Sequence, residues 1–380
     1  MKRLLPILCC CLLLVGCARS EGETALVSIN VGKADCHLLY VGESLYMIDT
    51  GTVESWGMVS RALTILGIKH LDGVILTHTD KDHAGGIQAL ASSSVAVDAW
   101  YSSRYYTDVK ESKHPAVLAA AMRGEEVVWL QAGDTLPVAD GTLRVLGPVR
   151  MDEEKENNNS VVLRLDTAAG SILLTGDMEK KAEEAMMDVT ELSPVTVLKV
   201  GHHGENDATG EAFATAVRPQ VAVISTSTAE EEDTPAPRVL ELLESLGAQI
   251  VQTQHVDGAV RITLTGSQPV VELVTFTPPP VTAQVVLSDK SVAQDAVTLR
   301  NDGAATVDLS GWYLFSEKGK EIFVFPQGAA LDPGASCTVT TLTSESSGDY
   351  QWPDTRVWHE DKPDAALLYD CYGQLVSRLE

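Results

Sequence analysis

Cysteine is scarce in the body of this 380-residue chain: of seven cysteines, four (Cys9, Cys10, Cys11 and Cys17) fall within the first 17 residues. Only Cys36, Cys337 and Cys371 remain, too few for a disulfide framework to hold the fold together. A Cys337–Cys371 bridge and a pair of buried thiols both stay open, since the two residues share the last segment. Basic residues are scarce too: 28 lysines and arginines face 53 aspartates and glutamates, for a formal net charge of −25. Such a chain repels polyanions at long range, which argues against charge-driven wrapping of nucleic acid but leaves a small local site open. No long apolar run follows the N-terminal one, so nothing in the body reads as a membrane span. Low-complexity tracts and solenoid repeats are likewise absent. What is present, 44% apolar and 21% charged residues, is globular in composition, and the length suits two domains.

Lys2 and Arg3 precede the apolar stretch 4–15, too short for an ordinary spanning helix and the right length for a signal-peptide core. It ends in Leu14-Val15-Gly16-Cys17, which resembles a bacterial lipobox whose cysteine is acylated. On this reading residues 1–16 are a lipoprotein signal peptide, 17–24 a tether, and lipidated Cys17 a membrane anchor. The expected location is then extracytoplasmic, as a cell-membrane lipoprotein. A plain secretory signal would instead make these cysteines simple hydrophobes.

From residue 25 onward short β-type runs alternate with loops and helices. Strands are expected over 25–31, 36–41, 44–48, 72–76, 127–130, 143–146, 160–166, 171–175, 195–200, 221–225, 249–252 and 260–265. Helices are expected over 55–66, 178–188 and 238–246, with another beginning at 87–91. Strands followed by interspersed helices, twice over, predict an α/β architecture of two sheets covered by helices. Thr277-Pro278-Pro279-Pro280-Val281 reads as a linker, because successive prolines enforce an extended backbone. Beyond it, runs at 284–287, 296–300, 312–315, 322–325 and 336–341 alternate without helices, as in a β-sandwich.

The most informative segment is Leu76-Thr77-His78-Thr79-Asp80-Lys81-Asp82-His83-Ala84-Gly85-Gly86. Two histidines and two aspartates crowd within six residues at a strand end, an arrangement that favours a cation among them. Imidazole and carboxylate are donors suited to zinc, manganese or iron. Two more apolar strands end in polar groups: one in Gly176-Asp177, the other in Gly201-His202-His203-Gly204. Parallel strand ends gather such groups on one rim. The five other histidines (His37, His70, His114, His255 and His359) read as surface or packed residues.

The ordered set Asp49-Thr50-Gly51, His78 through Gly86, Gly176-Asp177 and Leu198-Lys199-Val200-Gly201-His202-His203-Gly204 resembles the metallo-β-lactamase superfamily. More narrowly it resembles the ComEC-like, competence-protein hydrolase branch. Two further segments carry that likeness: 28–35, and the polar turn from Asn157 through Asn159 and Ser160 to Arg164. The resemblance implies an αββα sandwich over residues 25–276, ahead of a linker at 277–283. It also implies that His78 and Asp80 bind one metal, that Asp82, His83 and His202 bind the other, and that Asp177 bridges them. His202 is assigned because it leaves the strand first, with His203 outside the ligand shell or donating a proton. The superfamily's middle histidine has no counterpart here, so the first site is ligand-poor. One or two divalent ions are expected, and the carboxylate-rich set makes manganese a competitor to zinc.

A divalent ion supplies hydroxide near neutral pH and steadies the oxygens of a phosphodiester. Asp82 or Asp177 is expected to orient the hydroxide, His203 or a metal-bound water to protonate the leaving group, and Asn157, Asn159 and Ser160 to donate to a phosphoryl oxygen. Lys199 reads either as a phosphate contact or as a structural residue. The leading expectation is a phosphodiesterase or nuclease acting on DNA or an envelope phosphoester, with weak, metal-dependent substrate binding. Its alternatives are a phosphorylcholine-type envelope esterase and a non-catalytic surface binding lipoprotein with a degenerate metal site. In the last segment, Leu309-Ser310-Gly311-Trp312, Asp332-Pro333-Gly334 and Trp358 resemble the lamin-tail domain, an immunoglobulin-like β-sandwich. That implies such a domain over 284–380, with envelope or substrate contact as its expected role. Trp312 and Trp358 are expected in its core, and the oligomeric state is left open.

Overall fold

The computed structural model describes residues 22–345, 347–359 and 363–380, so the lipobox and Cys17 lie outside the described residues. An eight-stranded sheet runs Val270–Thr275, Gly258–Thr263, Thr24–Ile29, His37–Val41, Ser44–Ile48, Gly73–Leu76, Trp100–Ser103, Val127–Leu130. Its first half is antiparallel; from Ser44–Ile48 onward the strands are parallel. A seven-stranded sheet runs Gln249–Gln252, Val221–Ile224, Val197–Lys199, Gly170–Leu174, Val162–Thr167, Thr142–Gly147, Thr135–Leu136.

Period-two alternation distributes each strand between two cores. Ala25, Val27 and Ile29 enter an outer cluster beneath the helices Trp56–Ile65, Ile87–Ser92 and Pro115–Met122. Leu26, Leu39 and Ile48 face the other way and meet Leu163, Ile172 and Val197 of the second sheet. The second sheet's outer face is closed by the helices Lys180–Met187, Glu211–Val217 and Pro237–Ser245. The layers are therefore helix, sheet, sheet, helix.

Residues 285–379 contain two four-stranded sheets around a separate core that includes Trp312, Trp352 and Trp358. This unit does not hang free after the prolines. Ser60 Oγ and Arg61 Nε of the helix Trp56–Ile65 donate to the carbonyls of Cys371 and Tyr372, each at 2.8 Å. Tyr313, Phe315 and Leu367 join the outer cluster of the eight-stranded sheet. Cys337 and Cys371 are free thiols. Among the described residues, no helix is long and apolar enough to cross a membrane.

Candidate metal centre

Strand ends converge where the two sheets meet. Gly73–Leu76 delivers the loop from Thr77 to Gly86, Gly170–Leu174 delivers Asp177, and Val197–Lys199 delivers His202 and His203. The first loop folds tightly because Gly86 sits against the backbone: a Cβ there would lie 2.4 Å from the Thr50 carbonyl oxygen. Asp82, His83, Asp177 and His203 each offer a donor atom within 4.8 Å of the others.

The imidazoles in this cluster are oriented from behind. His83 donates its Nδ1 proton to Asp49 Oδ2 (2.8 Å), and its Nε2 lies 3.1 Å from Asp177 Oδ2. His203 donates from Nδ1 to the Ser225 carbonyl (2.9 Å), and its Nε2 faces Asp82 Oδ2 at 3.2 Å and Asp177 Oδ2 at 3.3 Å. Fixing one ring nitrogen in this way selects the tautomer whose other nitrogen is a ligand. His78 Nδ1 lies within reach of the Thr77 and Ser160 hydroxyls (3.1 and 3.3 Å), while its Nε2 stands 3.6 Å from Asp80 Oδ2. His78 Nε2, His83 Nε2 and Asp177 Oδ1 are buried without a hydrogen-bond partner. Buried polar atoms left this way are costly unless another group completes them, and a mixed nitrogen–carboxylate set suits a divalent cation.

Electrostatics agree. Burial disfavours the charge on Asp82, yet His203 and His83 hold its carboxyl down to about 2. Burial likewise opposes a charge on His203, but Asp177 and Asp82 push it up to about 9. Burial works against Asp177 too, and His203, His83 and Lys199 still hold it well below the carboxylate range. Without an ion, protons on the histidines balance the carboxylates; a bound cation would displace them.

The expected site residues are not all brought together. His203, rather than His202, joins the cluster. His202 and His203 adopt left-handed backbone angles (φ 47° and 53°), so the chain reverses on leaving the strand and alternation no longer decides which ring points inward. His202 instead donates from Nδ1 to Asp207 Oδ1 (2.8 Å), with Nε2 beside Asn157 Nδ2 (3.2 Å) and 4.0 Å from Asp177. Asn159 is not free to meet a substrate. It is fully buried, its Oδ1 accepts the Asp152 N–H (2.9 Å), and its Nδ2 donates to the Asp152 carbonyl (3.0 Å). Ser160 Oγ accepts the Asp177 N–H (3.1 Å) while touching His78, so its hydroxyl positions both rather than reaching outward. Asp80 lies beside His78 but outside the four-residue cluster, its side chain 39% exposed. Lys199 takes the structural role: fully buried, it pairs with Asp35, donates to the Gly176 carbonyl (2.9 Å) and lies 3.5 Å from Asp177 Oδ1. Sequence reasoning assigned no role to Asp35, Asp49, Glu156 or Asp207. Asp49 closes an apolar strand ahead of Gly51, a position like that of Asp177, and that was the available signal.

Comparisons with known proteins identify the superfamily. The profile of the metallo-beta-lactamase superfamily matches residues 29–228, and that of the Lamin Tail Domain matches residues 277–380. ComE operon protein 3 of Bacillus subtilis is 32% identical over 63% of this chain and 33% of its own length. Competence protein ComA of Neisseria gonorrhoeae is 27% identical over 64% of this chain and 33% of its own. The chain thus spans about a third of the curated relatives it matches. Among solved structures, the metallo-beta-lactamase fold protein YhfI from Bacillus subtilis aligns at a TM-score of 0.38 and 11% identity, covering 60% of this chain and 96% of that one. The chain belongs to the metallo-beta-lactamase superfamily of metal-dependent hydrolases, with ComEC-like relatives and a lamin tail domain at its C-terminal end.

Proposed function

We propose that this protein is an extracytoplasmic phosphodiesterase, anchored through Cys17, that hydrolyses DNA or another phosphodiester. The observation that carries the reading is the convergence of Asp82, His83, Asp177 and His203 beside His78 and Asp80. These residues would hold one or two divalent ions, zinc or manganese. Such an ion supplies a Lewis acid for a phosphoryl oxygen and acidifies a water. Asp82, whose Oδ2 faces His203 Nε2 at 3.2 Å, would orient that water. His202, braced by Asp207, would donate a proton to the leaving oxygen. Ser160 and Asp49 keep Asp177, His78 and His83 in register. One relative named competence protein ComA in Neisseria gonorrhoeae and one named recombination protein 2 in Haemophilus influenzae support DNA as the substrate class. The lamin tail domain is assigned substrate or envelope contact.

The test is a turnover screen of the metal-reconstituted protein against bis-p-nitrophenyl phosphate, single- and double-stranded DNA, cyclic nucleotides, phosphorylcholine esters and a chromogenic β-lactam. Cleavage of the phosphodiesters, lost in Asp82→Ala, is expected. Turnover of phosphorylcholine esters or the β-lactam alone, or no metal-dependent turnover at all, would reject the reading.

A further inference from the structure

The metal-bearing loop is not alone on its rim. Gly73–Leu76, Trp100–Ser103 and Val127–Leu130 are adjacent parallel strands, so the loops leaving their C-terminal ends emerge on the same side. The first releases His78 and Asp80; the second releases Arg104, Tyr105 and Tyr106. Trp129, opposite Ser102 in the ladder, stacks against Tyr106 with ring centroids 5.5 Å apart and planes 28° from parallel. The buried His114 ring meets both, at 4.8 and 5.1 Å, and stiffens the pair. Arg104 lies over the half-buried Tyr105 ring, its Cζ 6.0 Å from the centroid, and its guanidinium is held by the Gln131 amide oxygen.

Glu156 ties this aromatic loop to the metal loop. One carboxylate oxygen accepts the Thr107 N–H (2.7 Å) and hydroxyl (2.9 Å), and the other accepts the Thr79 hydroxyl (2.8 Å), between His78 and Asp80. Among the described residues no ion pair engages Arg104, Lys110 or Lys113, all of them exposed. In a chain of net charge −25, these are cations left over beside a row of aromatic faces.

We propose that Arg104, Tyr105 and Tyr106 form a stacking platform for an unpaired nucleobase, so that a single strand of nucleic acid is led to the metal centre. The proposal rests on the phosphodiester reading above. An acidic protein cannot gather nucleic acid by polyelectrolyte attraction, whereas stacking of a neutral base on an aromatic or guanidinium plane is indifferent to net charge. A duplex buries its base faces against one another and offers such a surface nothing but its two terminal pairs. A quaternary ammonium headgroup would also seek aromatic faces, but Arg104 over the Tyr105 ring repels a cation there.

The test compares two oligomers of equal backbone charge, an oligothymidylate of about twelve nucleotides and an abasic deoxyribose-phosphate of the same length, within the span such sites bind. Fluorescence anisotropy on the full chain, at low salt with EDTA to prevent turnover, reads the ratio of affinities. The base-bearing strand should bind about tenfold tighter than the abasic one, and tighter than a blunt duplex of equal length. Tyr105→Leu and Arg104→Gln should each remove most of that ratio. Tyr105→Phe, which keeps the ring, should preserve it and show that loss in the leucine variant is not misfolding. Lys318→Gln in the C-terminal unit should leave the ratio unchanged. Equal affinities for the two oligomers, an undiminished ratio in Tyr105→Leu, or displacement of the strand by phosphorylcholine would overturn the platform. If the ratio holds while no DNA is cleaved with zinc or manganese, the platform stands and the phosphodiester reading falls.

Discussion

Lys199→Met puts the buried charge network under the most informative strain. Lys199 and Asp35 are each 1% exposed, and the ammonium also lies 3.5 Å from Asp177 Oδ1. Burial would strip its proton, but Asp35 and Asp177 raise its pKa instead, so it is a fixed positive charge beneath the candidate metal cluster. Removing it leaves the buried Asp35 facing the more distant imidazoles of His37 (3.4 Å), His83 (3.8 Å) and His203 (3.9 Å) in a low-dielectric interior. Breaking one side of a buried ion pair costs about 3–5 kcal/mol, against about 0–1 kcal/mol for an exposed pair. For a domain of roughly 250 residues that corresponds to a drop in melting temperature of about 6–20 °C. Thermal unfolding of the EDTA-treated protein should show it. Adding Asp35→Asn removes the stranded charge, so the double variant should recover at least half of the loss, a coupling expected only of groups in contact. A loss within about 1 kcal/mol in Lys199→Met, or strict additivity in the double variant, would refute the reasoning.

Three other outcomes are expected from the same geometry. Burial pushes the His114 imidazole down from 6.5 to about 4, so protons favour the unfolded chain below pH 6.5. The cost is absent above pH 6.5 and grows to about 3 kcal/mol near pH 4; chemical denaturation across that window should show a flatter curve for His114→Asn, which keeps an acceptor for the Ala116 N–H. Ser160→Ala removes the hydroxyl shared by His78 and Asp177 and should weaken metal affinity about 10- to 100-fold by competition with a chromogenic chelator, the usual cost of losing a supporting partner; unchanged affinity would contradict its positioning role. Truncation before residue 277 uncovers the helix Trp56–Ile65 and the apolar cluster that Tyr313, Phe315 and Leu367 complete, so it should lower the melting temperature while metal stoichiometry is kept; metal loss on truncation would show that the two units share the site.

Much of the fold was legible because local pattern and burial agree. The strands at Ser44–Ile48, Val127–Leu130 and Gln249–Gln252 fall on the residues that their β-branched and apolar runs mark out. The helix Pro115–Met122 was missed because its alanine-rich stretch lacks a polar face to set a period. The strand Trp100–Ser103 was missed because two serines interrupt its apolar character, yet both are buried by the strands on either side. The edge strand Val270–Thr275 exposes Val270 and Leu273, and such a strand carries little burial signature. Within the site, the dense loop from His78 to His83 and the strand-end Asp177 were readable from composition at strand termini. Which of His202 and His203 points inward was not, because a left-handed turn of consecutive non-glycine residues overrides strand alternation and depends on Ser225 and Asp207, brought in by the fold. The supporting carboxylate Asp35 and the clasp at Glu156 were equally hidden, since their partners lie dozens of residues away, whereas Asp49 carried the strand-end signal without showing its partner His83.

The central claim, that Asp82, His83, Asp177 and His203 hold the metal, is tested most directly by metal analysis of two neighbouring variants. After reconstitution with zinc or manganese and gel filtration, His202→Ala should retain the parent's metal content and His203→Ala should lose at least one ion per chain. Full retention in His203→Ala together with loss in His202→Ala would contradict the assignment and return the ligand role to His202.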